Sequence, residues 1–250
     1  MTRWKILIEY DGSDFCGWQR QAILNPEAKP SVQQVIEDAI YKFSAESVTL
    51  FVAGRTDAGV HATAQVAHFD IDKDTDERTV QEAVNFHVRP FRVCILSAEK
   101  FTQDFHARLS AVKRCYQYKI INRKAPLTYQ KNYALHIPYN LDEKIMQEAA
   151  DMLLGNHDFS SFRASGCQAT SPIRTLDRLD VKRVDDTILI YTEARSFLYH
   201  QVRNMVGTLC LVGSKKWTLS TFSDAFHAAN RTCGGPTAGP EGLYFMGVRY

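Results

Sequence analysis

Short runs of alternating apolar and polar residues recur along the 250-residue chain. Segments with the apolar spacing of a helix lie between some of these runs, but not between all of them. The clearest run lies near the N-terminus, where Trp4, Ile6, Ile8 and Tyr10 occupy every second position. A period of two places these four side chains on one face of a strand. Because strands and helices mix without strict alternation, the sequence favours an α+β fold with mainly antiparallel sheets over a doubly wound parallel sheet.

Local signals place further elements along the chain. Ser31 and Gln34 form a capping box that opens a helix, and Asn140 is predicted to cap a later helix that ends near Gly155. A long loop is predicted around Asn25-Pro26, and a turn at Asp185-Asp186. The other predicted strands lie near 48–53, 65–71, 92–101, 113–121, 174–183, 187–195 and the C-terminus, and the other helices near 77–86, 202–209 and 218–229.

The composition is that of a soluble globular protein, with 45% hydrophobic and 23% charged residues. No apolar stretch reaches the roughly 18 residues needed to cross a bilayer, and the N-terminus runs into a strand pattern without a signal-peptide core. The six cysteines include no Cys-x-x-Cys pair and no Cys/His pair at zinc spacing. We therefore expect a cytoplasmic protein without a structural metal.

The basic residues are distributed unevenly. A formal net charge of +2 is too small to indicate a polyanionic partner, yet residues 105–132 contain no acidic side chain. The basic residues of this segment are Arg108, Lys113, Arg114, Lys119, Arg123, Lys124 and Lys131, and the tyrosines among and just after them are Tyr116, Tyr118, Tyr129 and Tyr133. Such a segment is either a solvated face or a surface that binds phosphates and unstacked bases.

Residues 53–62 read Ala-Gly-Arg-Thr-Asp-Ala-Gly-Val-His-Ala and contain a single carboxylate, Asp57. Glycines at positions 54 and 59 permit a tight bend or a close approach of the backbone to a ligand, so that the loop can present Asp57 outward. Arg55, two residues earlier, can hold the carboxylate ionised or contact a substrate. An ordinary loop between two strands has a similar composition, so both interpretations stay open on these residues alone.

The whole decapeptide resembles the signature loop of the TruA-type tRNA pseudouridine synthases, in which the Asp is catalytic. The other motifs that follow the family's order are Tyr10-Asp11-Gly12 with Phe15, Gly17-Trp18-Gln19, Ser31-Val32-Gln33, Asp104-Phe105-His106-Ala107-Arg108, Tyr116-Gln117-Tyr118, His157-Asp158-Phe159, Ser161-Phe162-Arg163, Phe197-Leu198, Val202-Arg203-Asn204-Met205-Val206-Gly207 and Glu241-Gly242-Leu243-Tyr244. This resemblance covers nearly the full chain. It departs at Gln201, where many relatives have Met, and at Ala62-Thr63-Ala64, where the family often has a glycine.

The resemblance implies two ferredoxin-like or RRM-like halves whose mainly antiparallel sheets lie side by side over a central cleft. Residues 1–108 would carry the catalytic Asp loop, and residues 109–250 the active-site tyrosine and arginine. The implied activity is isomerisation of uridines 38, 39 and 40 in the tRNA anticodon stem-loop, by base flipping, cleavage of the C1′–N1 bond, rotation of the base and formation of a C1′–C5 bond. No cofactor is implied, and the expected enzyme is a homodimer that also holds the body of the tRNA.

The resemblance assigns three catalytic residues. When a glycosidic bond breaks, the sugar develops oxocarbenium character, and Asp57 would stabilise it, attack it or remove a neighbouring proton. Arg203 would pair with Asp57, and an opposite charge within about 4 to 6 Å keeps a carboxylate ionised. Tyr116 would stack on the detached uracil, and its hydroxyl could help to move the C5 proton.

The remaining predicted residues bind the substrate. Leu243 would form the other wall of the base pocket, and Arg55 would enter the space left by the flipped base or hold its phosphate. Lys113 and Arg114, from the acid-free segment, are expected to contact the RNA backbone. His61, by contrast, is predicted to structure the loop.

Two other functions remain open on the residues alone. A non-catalytic RNA-binding protein of two RRM-like halves is disfavoured because no RNP-like aromatic octamer is present. A hydrolase or phosphotransferase with Asp57 as nucleophile is disfavoured because such chemistry commonly needs Mg²⁺ held by further carboxylates. The next acidic residue after Asp57 is Asp70.

Overall fold

The computed structural model describes residues 1–21 and 29–250. The chain forms two compact units, one of Met1–Arg114 with Tyr244–Tyr250 and the other of Cys115–Leu243. The predicted α+β class with mainly antiparallel strand pairing is confirmed. The assignment of the two functional halves at residue 108, and their arrangement side by side over a cleft, stay predictions. The loop predicted around Asn25-Pro26 lies outside the described residues.

The described ranges contain five α-helices and ten strands. The helices are α1 (Val32–Ser44), α2 (Glu77–His87), α3 (Glu143–Asp151), α4 (Gln201–Gly213) and α5 (Leu219–His227). The strands are β1 (Thr2–Tyr10), β2 (Phe51–Val52), β3 (His61–Ile71), β4 (Val93–Phe101), β5 (Lys113–Asn122), β6 (Leu135–Ile137), β7 (Gly155–Asp158), β8 (Ile173–Val184), β9 (Thr187–Ala194) and β10 (Leu243–Arg249). No helix in the described ranges combines the length and the apolar character needed to cross a membrane.

The first unit is a sheet with the strand order β4-β1-β3-β10, with α1 and α2 packed against each other. Strand β1 pairs antiparallel with β3 and β4, and the C-terminal β10 pairs parallel with β3. Trp4, Ile6 and Ile8 are at most 1% exposed, so the predicted period-two face is the core face. Burying a side chain of this size contributes about 1.5–3 kcal/mol. The Ser31 hydroxyl accepts from the Gln34 amide at 3.1 Å, which confirms the predicted helix start.

The second unit is a sheet with the order β5-β9-β8-β7, and helix α3 packs on β8 and α4. The predicted turn at Asp185-Asp186 joins β8 and β9, with Asp185 at φ 53°. The predicted cap of α3 was wrong, because Asp142 and not Asn140 accepts from the first helical amides, those of Lys144 and Ile145. A carboxylate at this position also complements the positive end of the helix dipole.

Candidate active site

Asp57 lies in the loop between β2 and β3, and the backbone of this loop is held by the segment after β1. Gly17 and Asp57 form an isolated antiparallel bridge, and the Trp18 amide donates to the Thr56 carbonyl at 3.0 Å. Gly17 has φ 110°, and a Cβ atom there would lie 3.0 Å from the Thr56 carbonyl oxygen. Only glycine combines this backbone conformation with so close an approach. The position of Asp57 therefore depends on a residue forty positions earlier in the chain.

Two buried polar side chains, those of Tyr10 and Gln65, hold the same loop by hydrogen bonds. The Tyr10 hydroxyl lies 2.6 Å from the Thr56 hydroxyl, and the Gln65 side-chain amide donates to the Gly54 carbonyl at 2.7 Å. Burial raises the pKa of Tyr10 to about 12, so its hydroxyl stays protonated at neutral pH. The residues on either side of Arg55 are thus fixed, while the Arg55 side chain itself is exposed.

Arg114 anchors the start of the loop. Its guanidinium is buried and donates to the Ala53 carbonyl from Nε at 3.1 Å and from Nη2 at 2.9 Å. Nη2 also donates to the Arg108 carbonyl at 2.7 Å. Charged donors to carbonyl oxygens form stronger hydrogen bonds than neutral donors do. Arg114 therefore has a structural role that the sequence did not reveal, and its predicted contact with RNA, like that of its half-buried neighbour Lys113, stays a prediction.

His61 structures the turn beside the loop, as predicted. It is 2% exposed, and its Nδ1 accepts from the Gly12 amide at 3.1 Å, which assigns the ring proton to Nε2. The ring stacks on Tyr244 at 4.8 Å between centroids. The Asp11 carboxylate also lies 3.2 Å from Nδ1, but it accepts from Arg92 at 2.9 Å. His61 is therefore a fixed acceptor in the core of the first unit.

The second unit holds Tyr116 on β5 and Arg203 on α4. Tyr116 is half-buried, and its ring packs edge-on against Phe197 at 5.2 Å. Arg203 Nε donates to the Ala238 carbonyl at 2.8 Å, and the Ala238 amide donates back to the Arg203 carbonyl at 3.0 Å. This reciprocal pair joins α4 to the segment that precedes β10.

The same segment also lies against β5. The buried Tyr118 hydroxyl donates to the Gly239 carbonyl at 2.6 Å, and burial raises its pKa well above the usual value, which keeps it a donor. A Cβ atom at Gly242 would lie 2.6 Å from the Lys119 carbonyl oxygen, so only glycine fits there. Leu243 follows immediately and is 5% exposed. The segment 238–243 thus brings together the elements that carry Tyr116, Arg203 and Leu243.

Comparison with known proteins adds independent information to this geometry. The sequence matches the family described as tRNA pseudouridine synthase over residues 6–109 and 149–250. The chain belongs to this family. Proteins named tRNA pseudouridine synthase A from Rhodospirillum centenum and Paramagnetospirillum magneticum are each 52% identical over 250 residues, which cover all of this chain and 100% and 96% of theirs. The protein of that name from Ehrlichia canis is 50% identical over 248 residues, 99% of this chain and 100% of its own. The predicted family membership is confirmed.

The structure places the family's predicted site residues in two groups. Asp57 and Arg55 belong to the first unit, and Tyr116, Arg203 and Leu243 to the second. The meeting of the two groups in one active site stays a prediction. Among the described residues, no three His, Cys, Asp or Glu side chains are arranged to hold a metal ion.

Proposed function

We propose that this member of the tRNA pseudouridine synthase family isomerises uridine to pseudouridine at positions 38, 39 and 40 of the tRNA anticodon stem-loop. The observation that carries the proposal is the Asp57 loop. It presents one carboxylate on a backbone fixed by Gly17, Trp18, Gln65 and Arg114, inside a sequence that belongs to the family. Holding a reacting group in position removes much of the entropic cost of the reaction.

Asp57 supplies the negative charge that the reaction needs at the sugar. Cleavage of the C1′–N1 bond develops positive character at C1′, and a nearby carboxylate stabilises that charge, attacks C1′ or removes the C2′ proton. The free base then rotates and C5 bonds to C1′, after which C5 loses its proton and N1 gains one. Atoms balance without an added reagent, so the reaction is an isomerisation that needs no cofactor.

Arg203, Tyr116 and Leu243 complete the proposed site. Arg203 would hold the Asp57 carboxylate ionised, and its bond to Ala238 fixes its direction. Tyr116 offers a half-exposed ring for stacking and a hydroxyl for proton transfer. Leu243 would form an apolar wall of the base pocket.

Access to the base requires that it leave the RNA stem. A nucleotide paired in a stem must be flipped out before its glycosidic bond can be reached. Arg55 is exposed two residues before Asp57, which suits a side chain that enters the vacated space or holds the flipped phosphate. Because the same enzyme acts on several tRNAs, recognition would depend on shape and backbone contacts more than on base edges.

The test compares Asp57→Asn with the wild-type enzyme in single-turnover assays on a tRNA transcript. Pseudouridine is detected by carbodiimide modification and primer extension, and binding is measured in parallel. We expect no turnover above a no-enzyme control and nearly unchanged tRNA affinity, since the amide keeps the shape of the carboxylate but not its charge. Asp74→Asn, the same change at an exposed position of the first unit, is the matched control and should keep wild-type rates.

The same assay separates the alternative functions. Measurable turnover by Asp57→Asn would refute the assignment of the catalytic residue. Wild-type protein that binds tRNA without forming pseudouridine would be a binding protein only, and turnover abolished by EDTA and restored by Mg²⁺ would favour the metal-dependent alternative.

A further inference from the structure

An open cavity of about 980 Å³ lies in the second unit. Three separate parts of the sequence contribute to its lining: Ser160 with residues 163–165, then His200, and then residues 228–232 with Thr237. Its ionisable side chains are Arg163, His200 and Arg231, and none of the described residues that line it is acidic. Specific ligand pockets have volumes of about 300–1,000 Å³, so the space exceeds that of a single small anion and suits a sugar-phosphate unit.

Among the described residues, neither guanidinium group of the cavity forms an ion pair with a carboxylate, although Arg163 also contacts the Cys167 side chain. Arg163 Nη2 donates to the carbonyls of Cys167 at 2.9 Å and Ala169 at 2.6 Å. Arg231 Nη2 donates to the side-chain oxygens of Asn204 and Thr237, each at 3.2 Å. These acceptors orient the two groups without cancelling their charge.

Arg178, in the same unit, shows the contrasting arrangement. It donates to the carboxylates of Asp180 at 2.7 Å and Glu193 at 3.2 Å. The positive charge of Arg178 is therefore compensated by carboxylates, whereas no carboxylate among the described residues compensates Arg163 or Arg231. The parallel N–H donors of a guanidinium suit the oxygens of a phosphate group.

The N-terminus of α4 adds a third positive contribution. His200 occupies the N-cap position of α4 with φ 58°, and its side chain lines the cavity instead of capping the helix. The N-terminus of a helix carries a partial positive charge that favours phosphate. Ser160 and Ser165 also line the cavity, and a serine hydroxyl is a neutral donor that suits phosphate oxygens.

We propose that the Arg163–Arg231 cavity binds a phosphodiester group of the tRNA substrate. The inference rests on the proposed function, because it takes the polyanion to be tRNA. The cavity is linked to the proposed active-site arginine, since the Thr237 hydroxyl donates to Asn204 at 2.6 Å and both residues adjoin the Arg203–Ala238 pair in sequence. A phosphate bound there would fix the position of the RNA strand relative to Arg203.

The experiment measures tRNA affinity as a function of salt for Arg163→Gln, Arg231→Gln and the double variant. Each phosphate contact to single-stranded or looped RNA contributes about 0.7 to the slope of log K against log salt. We expect a weaker slope and, at low salt, tRNA affinity reduced on the order of tenfold. Arg178→Gln is the matched control and should keep the wild-type slope.

A structural role for the two arginines would produce a different pattern. Arg163→Lys and Arg231→Lys keep the charge but lose most of the carbonyl and amide contacts, so they should keep the slope even if their thermal stability falls. Ethylation interference should identify a tRNA phosphate whose ethylation weakens binding to the wild-type enzyme but not to the double variant. If the Lys variants lose the slope as fully as the Gln variants, the arginines only hold the fold, and the proposal is overturned.

Inorganic phosphate and uridine monophosphate test the other source of the same chemistry. The wild type could bind one of these ligands tightly and the Gln variants could lose that binding while their tRNA slope stays unchanged. This result would assign the cavity to a small phosphate ligand and overturn the proposal. If the wild type forms pseudouridine but the Gln variants keep the wild-type salt slope, the cavity proposal is refuted and the proposed function stands. Changed slopes without pseudouridine formation by wild type support the cavity and refute the proposed function.

Discussion

Protonation of His68 should destabilise the first unit at mildly acidic pH. This residue of β3 is 1% exposed, its Nδ1 accepts from the Ala107 amide at 3.1 Å, and its ring stacks on Phe51 at 5.0 Å. Burial, together with the positive charge of Arg3, lowers the pKa of His68 to about 4. The folded unit therefore holds this histidine neutral.

The sign and size of the effect follow from proton linkage. A histidine in the unfolded chain has a pKa of about 6.5, so between pH 6.5 and 4 the unfolded state binds more protons than the folded state. The stabilisation from the neutral ring is complete above pH 6.5 and is lost as the pH falls. Between pH 7.5 and 5.5 the loss is about 1.3 kcal/mol, and the full shift corresponds to roughly 3 kcal/mol.

The assay is urea unfolding at pH 7.5 and 5.5, followed by a fluorescence probe in the first unit, for the wild type and His68→Asn. Asparagine keeps an acceptor for the Ala107 amide but does not titrate, so it should lose about 1.3 kcal/mol less than the wild type between the two pH values. Asp70 should not interfere, because the hydrogen bond from Arg3 holds its pKa below the usual value. The same substitution at exposed His227 controls for loss of a histidine.

A parallel loss of stability in the wild type and His68→Asn would refute this reasoning. So would an NMR titration in which the His68 ring protonates near pH 6.5 in the folded protein. Either result would show that the ring is more accessible to water than its 1% exposure indicates.

Three further predictions concern the proposed active site and assembly. Arg203→Met should be nearly as inactive in single-turnover assays as Asp57→Asn, because the site loses its cation and the tie to Ala238, and a near-normal rate would place α4 outside the site. Gly17→Ala should lower kcat with little change in tRNA affinity, since a side chain at φ 110° costs about 1–3 kcal/mol and contacts the Thr56 carbonyl too closely. An unchanged kcat would show that the loop does not need the Gly17–Asp57 bridge. Sedimentation equilibrium should give about twice the chain mass of 28.4 kDa, as an isologous dimer requires, and a fully active monomer would contradict the dimer.

Elements with strong local signals could be predicted before the fold was known. The alternation from Trp4 to Tyr10 produced β1, and the Ser31 capping box produced the start of α1 at the predicted residue. The Asp57 decapeptide and the motifs around Arg203 were sufficient to predict the family. All of these signals act over a few residues, so they persist whatever the rest of the chain does.

The tertiary structure alone decided which partners the charged side chains have. In the sequence Arg114 is one of several cations in an acid-free segment, but in the fold its guanidinium holds the Ala53 carbonyl, sixty-one residues away. Likewise, Arg163 and Arg231 share a cavity although they are far apart in the chain. A guanidinium carries the same charge and five donors in every context, so its role depends on which distant acceptors the fold brings to it.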